Sequence, residues 1–164
     1  MTTCVKSACL YGIDGFVVDV ECYLNAGSFG KFDLVGLPDA AVKESSARIK
    51  AAIKSSGIQY PAESIIINLA PADRIKQGTA FDLAILLSML KCETLRNIDT
   101  EGKCFVGEVS LTGDVRPVNG VLSMTLCARE NGLSEIYVPC SNAKEAAVVE
   151  GIEVYGVESV SQLV

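Results

Sequence analysis

Residues 64–92 hold two apolar runs of different length, and together they restrict what this chain can become. "SIIINL" (64–69) is continuous and of strand length, which predicts a central strand covered on both faces. "TAFDLAILLSMLKC" (79–92) is too long for a strand and predicts a strongly apolar helix. Both runs need cover, so the chain must build a sheet with helices packed against it. Between them lies "PADRIKQG" (71–78), charged and ending in glycine. Strand, charged loop, helix start is the local layout of many active sites and phosphate sites. Thr79 is the expected N-cap of the helix, and Asp82 falls in its first turn, where a carboxylate meets the positive helix end.

The flanking sequence extends this pattern. Residues 3–24 predict two strands joined by a Gly-Ile-Asp-Gly turn at 12–15; in the second, Phe16, Val18, Val20, Cys22 and Leu24 recur with a period of two. A short strand, Phe32 to Val35, follows a glycine loop. Pro38 opens a helix expected to run to Ser56 and stop at Gly57, with Ala41, Ser45, Ile49, Ala52, Ile53 and Ser56 on its buried face and Lys43, Lys50 and Lys54 elsewhere. Residues 103–118 read as a hairpin turning at Thr112-Gly113-Asp114, and 119–133 as a helix ending at Gly132. Then come the strand "EIYVP", a short helix "SNAKEAAVV" capped by Ser141 or Asn142, the strand "IEVYGV", and a last helical turn. The expected class is α+β, close to α/β: a mixed sheet with helices mainly on one face.

Composition narrows the chemistry. The 164 residues suit a single domain, and 49% hydrophobic against 21% charged residues can bury a real core. A net charge of −6 argues against a whole-surface grip on nucleic acid or anionic lipid and leaves only a local basic patch. Histidine is absent, which removes Ser-His-Asp and Cys-His catalysis and histidine metal sites together. The seven cysteines lack paired spacing, so no metal site is expected; they read as reduced, buried thiols of a cytoplasmic protein. No signal-peptide layout or membrane-length apolar run occurs, so no membrane association is expected.

Spacing tests the remaining options. A phosphate-binding P-loop needs G-x-x-x-x-G-K-[ST]; Lys76-Gln77-Gly78-Thr79 has those residues in the wrong order, and no G-x-G-x-x-G is present. Without histidine, a hydroxyl nucleophile needs a lysine base, and Thr79 beside Lys76 is the one suggestive pair. Its plainer reading is a helix cap beside a solvated lysine. Arg74, Lys76 and the backbone amides from Gly78 could instead hold an anion at a helix N-terminus, unless Asp73 simply pairs with the two cations. The acids Asp14, Asp19, Glu21, Asp33 and Asp39 are scattered, and a solvated face accounts for them.

Four stretches, "FDLVGLPDAAVKES", "INLAPADRIKQGTAFDLAI", "FVGEVSLTGDVRPVNGVL" and "VPCSNAKEAAVVEGIEVYGV", resemble in order the N-terminal, ChlI-type domain of Mg-chelatase-like AAA+ ATPases of the YifB/ComM group. The resemblance spans nearly the whole chain. It implies a ribosomal protein S5 domain 2-like fold, shared with the Lon proteolytic domain and the C-terminal domain of the DNA-repair ATPase RadA. It also implies that 1–164 is one such domain, with an AAA+ module downstream and absent from this chain. Lon proteases carry K-D-G-P-S-A-G, whose serine is the nucleophile; here Ala80 stands at that position. They also carry P-[IV]-G-G-[LV]-K, whose lysine is the base; here the match is Pro117-Val118-Asn119-Gly120-Val121-Leu122, and Leu122 replaces it. Neither alanine nor leucine can supply a nucleophile or accept a proton.

The expected function is therefore non-catalytic: ring assembly and engagement of DNA or a partner, within a ComM-type ATPase related to recombination and transformation. No cofactor is expected in this chain; ATP and Mg are expected in the missing AAA+ module, whose ring would make the protein a homo-oligomer. Arg74, Lys76, Gly78, Thr79 and Arg116 are the candidate anion or DNA contacts. Two alternatives remain: a diverged Ser/Thr-Lys peptidase using Thr79 and Lys76, and a stand-alone oligomerisation module.

Overall fold

The computed structural model describes residues 1–93 and 97–164. β1 (Thr2–Tyr11) and β2 (Asp14–Phe29) form the expected antiparallel hairpin, with Thr2 opposite Tyr23 and Tyr11 opposite Asp14. β2 runs on past Leu24, with a register shift between Asn25 and Phe29. β3 (Phe32–Val35) matches its expected bounds.

The helix expected over 38–56 is broken in two, α1 (Ala40–Lys43) and α2 (Ser45–Ser55), with Glu44 between them. Asp39 caps α1 by accepting from the Val42 amide at 2.8 Å. Gly57, at φ 71°, takes the left-handed conformation that ends α2, as the sequence implies.

β4 (Glu63–Ala70) corrects one expectation. Ile65, Ile67 and Leu69 are buried, but Ile66 is 36% exposed and the Asn68 side-chain Nδ2 donates to Glu21 on the same side. The strand is covered on one face, so its unbroken apolar run does not mean double burial. α3 (Asp82–Cys92) starts later than expected. Its N-cap is Phe81, and Thr79 contributes only a backbone carbonyl, accepting from the Asp82 amide at 3.3 Å.

The hairpin expected over 103–118 is divided. β5 (Lys103–Phe105) enters the main sheet, while β6 (Glu108–Val109) and β7 (Val115–Arg116) form a separate antiparallel ribbon. α4 (Val121–Glu130), β8 (Glu135–Pro139), α5 (Ala143–Ala146) and β9 (Glu153–Val157) complete the chain. The seven-stranded sheet runs β3-β4-β2-β1-β5-β8-β9. β2 is antiparallel to both β1 and β4, and the β3/β4, β1/β5, β5/β8 and β8/β9 pairs are parallel, so the sheet is mixed as expected.

Strand alternation divides the core by face. Val5 and Cys9 of β1, Phe105 of β5 and Tyr137 of β8 join the cluster covered by α2 and α3. Ala8 and Leu10, Cys104, and Ile136 and Val138 point the other way, to α4 and α5. The expectation of helices mainly on one face needs that amendment: a second, smaller helical layer covers the opposite side. α4 lies so close to the hairpin that a Cβ on Gly15 would meet the Ser123 carbonyl oxygen at 2.6 Å.

One ion pair ties the first layer together. Arg48 of α2 grips Asp82 at the start of α3 through two bonds, Nε to Oδ2 at 2.7 Å and an η nitrogen to Oδ1 at 2.9 Å. The Val109 amide of β6 donates to the same carboxylate at 3.2 Å. Burial pushes the Asp82 carboxyl up, and the guanidinium and the amide pull it back.

Asp82→Ala removes the buried partner of a half-buried guanidinium and leaves the Val109 amide unpaired, and should cost about 3 kcal/mol, read from urea unfolding. On β4, Ile67→Ala should cost about 2–5 kcal/mol, and Ile66→Ala well under half of that. Equal losses at the two isoleucines would contradict one-sided cover.

Candidate functional site

The β4–α3 loop folds inward. Asp73, Arg74 and Ile75 are exposed, whereas Lys76 is 0% exposed and its amine donates to the Pro71 carbonyl. The Lys76 backbone is stitched to the segment before α1: its amide donates to the Leu37 carbonyl at 3.0 Å, and its carbonyl accepts from the Asp39 amide at 2.9 Å. Lys76 is thus not the solvent-facing cation expected from the sequence. Burial pushes its amine below the usual lysine value.

The first amide of the candidate cradle is also occupied. The Gly78 amide donates to Asp39 Oδ2 at 3.1 Å, while Oδ1 of the same carboxylate caps α1. Asp39 supplies internally the anion that the loop was expected to take from outside. Arg74 remains exposed, with its guanidinium carbon 5.1 Å from the centre of the Phe16 ring. Arg116 on β7 is 64% exposed and 4.0 Å from Glu108. Arg74 lines a cavity with Tyr11, Asp14, Phe16 and Gln77 that does not include Arg116.

Thr79 and Ala80 open onto a cavity of about 220 Å³, lined also by Leu10, Gln77, Gly78, Val118, Asn119 and Met124. Its polar side chains are Gln77, Thr79 and Asn119, and none of them titrates near neutral pH. Lys76 does not line it. Leu122 stays outside as well: it is 39% exposed at the second position of α4, with its amide donating to Glu145 at 3.2 Å. One thiol touches this loop, that of Cys9, whose sulfur lies 3.8 Å from the Gln77 carbonyl oxygen. It is buried, and burial pushes the thiol up, away from the thiolate that attack requires.

The family model described as subunit ChlI of Mg-chelatase matches residues 20–142. Competence protein ComM of Haemophilus influenzae is 35% identical over 161 residues, which are 98% of this chain and 31% of ComM. YifB of Escherichia coli, itself uncharacterised, is 36% identical over 148 residues, 90% of this chain and 29% of YifB. The chain belongs to the Mg-chelatase ChlI family. Within that family it falls in the YifB/ComM group and spans less than a third of these relatives' length. Lon protease 2 of Syntrophobacter fumaroxidans is more distant, 26% identical over 140 residues, 81% of this chain and 18% of the protease.

In this ChlI-family domain, then, the positions matched to the Lon nucleophile and base behave differently. Ala80 lines a cavity between the β4–α3 loop and the start of α4, and Leu122 faces away from it. No group of three or more Cys, Asp or Glu side chains among the described residues could hold a metal ion. No described helix is long and apolar enough to cross a membrane. Sequence reasoning missed a different surface: Lys31, Lys50, Lys54, Phe32 and Tyr60 meet in a groove of about 490 Å³ between α2 and β3. The signal available was the one-turn spacing of Lys50 and Lys54 on the polar side of α2.

Two outcomes check the position of Lys76. Amine acylation of the folded protein, read by mass spectrometry, should mark Lys31, Lys50 and Lys54 early and Lys76 last. With the folded-state value below the ordinary 10.5, the native state binds fewer protons than the unfolded one between those two values, so stability gained from this group rises with pH there. Urea midpoints of wild type and Lys76→Met should therefore move in favour of wild type as pH approaches that value; a constant difference would contradict it.

Proposed function

We propose that this chain is a non-catalytic, Lon-like N-terminal domain of a Mg-chelatase-like AAA+ ATPase. Its work is binding and positioning: it helps assemble the ring and engages DNA. Nucleotide turnover belongs to a downstream AAA+ module, which would hold ATP and Mg. The observation that carries this reading is the cavity beside Thr79 and Ala80, which has walls and an opening but no titratable side chain in its lining. A hydroxyl without a base within reach is a weak nucleophile. The peptidase alternative loses support for the same reason, because the Lys76 amine is turned to the Pro71 carbonyl and away from the cavity. Relatives about three times the length of this chain, one of them a competence protein, support the placement inside a larger machine.

The test uses the full-length parent from its native gene, with and without residues 1–164. Truncation should leave ATP hydrolysis in place, weaken binding to forked or single-stranded DNA, and lower the assembled fraction seen by light scattering. Unchanged DNA affinity and assembly after truncation would refute the reading. So would hydrolysis of casein by the 164-residue chain if Thr79→Val abolished it.

A further inference from the structure

The groove between α2 and β3 concentrates cations on a protein whose net charge is −6. Three lysines line it, Lys31, Lys50 and Lys54, against a single carboxylate, Glu63. All three are exposed, and among the described residues none has a carboxylate oxygen within 4.0 Å of its amine. Other cations of this chain are already engaged: Lys6 by Asp19 at 2.6 Å, Arg48 by Asp82 at 2.7 Å and Lys103 by Asp99 at 2.9 Å.

The lysines stand on ordered elements. Lys50 and Lys54 sit one turn apart on α2, whose opposite side is anchored by the buried Ile49, Ala52 and Ile53. Lys31 immediately precedes β3, where its amide donates to Ser64 Oγ at 3.3 Å and its carbonyl accepts from the Ile65 amide at 2.8 Å. Phe32 and Tyr60 are half-buried in the groove wall, and the Lys50 amine lies 5.6 Å from the Tyr60 ring centre. Burial pushes the Tyr60 phenol up, so it stays protonated in any ordinary buffer and adds no negative charge.

We propose that this groove binds the phosphodiester backbone of single-stranded nucleic acid, with Tyr60 and Phe32 forming an apolar wall against the bases. Lysines spread along a wall match a chain of phosphates, whereas a single bound phosphate calls for converging forked donors, and no arginine lines the groove. Aromatic faces beside such cations are the arrangement that holds unpaired bases without sequence preference. This proposal rests on the reading of the domain as one that engages DNA, and it moves the contact away from the β4–α3 loop, where Lys76 is buried and Asp39 fills the cradle.

The test measures fluorescence anisotropy of labelled oligo-dT with the 164-residue chain and with its Lys31→Gln, Lys50→Gln, Lys54→Gln variant. A charge-matched control replaces Lys43, Arg129 and Lys144 by Gln, all exposed and outside the groove lining. The groove variant should bind roughly tenfold more weakly at low salt, with a log–log salt dependence shallower by about 2, near 0.7 for each lost phosphate contact. The control should retain wild-type affinity and slope. Equal behaviour of the two variants, or no oligo-dT binding by wild type, would overturn the groove. Tighter binding of duplex than of single strand would overturn the single-strand assignment, and polyglutamate competing as well as oligo-dT would replace nucleic acid by an acidic protein segment. If glutamines in the groove change nothing while removal of residues 1–164 still weakens DNA binding by the parent, the groove fails and the DNA-engaging domain stands.

Discussion

The contact between Arg48 and Asp82 is where the layout of this domain is decided. A carboxylate with 1% side-chain exposure can stay charged inside a protein only if nearly all its lone-pair directions are met. Here two guanidinium bonds from α2 and the Val109 amide of the β6–β7 ribbon meet them at the first residue of α3. The net gain from such a pair is small, because desolvation offsets most of the attraction. Its effect is geometric: the two-point grip fixes where α2 sits against the start of α3. The rest of the β4–α3 loop follows from that anchor, since its far end is held at Asp82 and its near end by β4.

Within that fixed span a second internal anion takes over. Asp39 uses one carboxylate oxygen to cap α1 and the other to receive the Gly78 amide. Loops of this shape bind phosphates because free amides point at a vacant space; here a side chain of the same protein occupies it. The backbone exchange between Lys76 and the Leu37–Asp39 segment then turns the lysine stem inward, where its amine finds the Pro71 carbonyl. The Lys76 amine and the Gly78 amide are consumed in holding the loop, while Asp73 and Arg74 stay exposed.

Much of the fold was legible in the sequence, for local reasons. β3 and β8 have their expected bounds, and Gly57 and Gly132 close their helices in the left-handed conformation, because turn and cap chemistry acts over a few residues. What was not legible depends on distant partners. The break at Glu44 follows no helix breaker in the sequence. β5 leaves its expected hairpin because β1 and β8 offer parallel neighbours on both sides. Ile66 reads as core and is exposed because only one face of β4 has a helix over it. The candidate site suffered most. No local pattern marks Lys76 as buried, and 34 residues separate Arg48 from the Asp82 it pairs with. Lys50 and Lys54 read as the ordinary polar side of an amphipathic helix, because only the fold brings Lys31 and Tyr60 beside them.

A net charge of −6 is a statement about the sum and not about any surface. Interactions between exposed charges are largely screened beyond about 10 Å at 0.1 M salt, so a partner in the α2–β3 groove responds to Lys31, Lys50 and Lys54 far more than to carboxylates on the other side of the domain. The acidic remainder still matters at longer range and low salt, where it repels a polyanion that approaches from any other direction. A locally basic groove on an acidic body therefore orients what it binds. In an assembly of several such domains, it would favour a strand lying along the grooves over one spread across the surface.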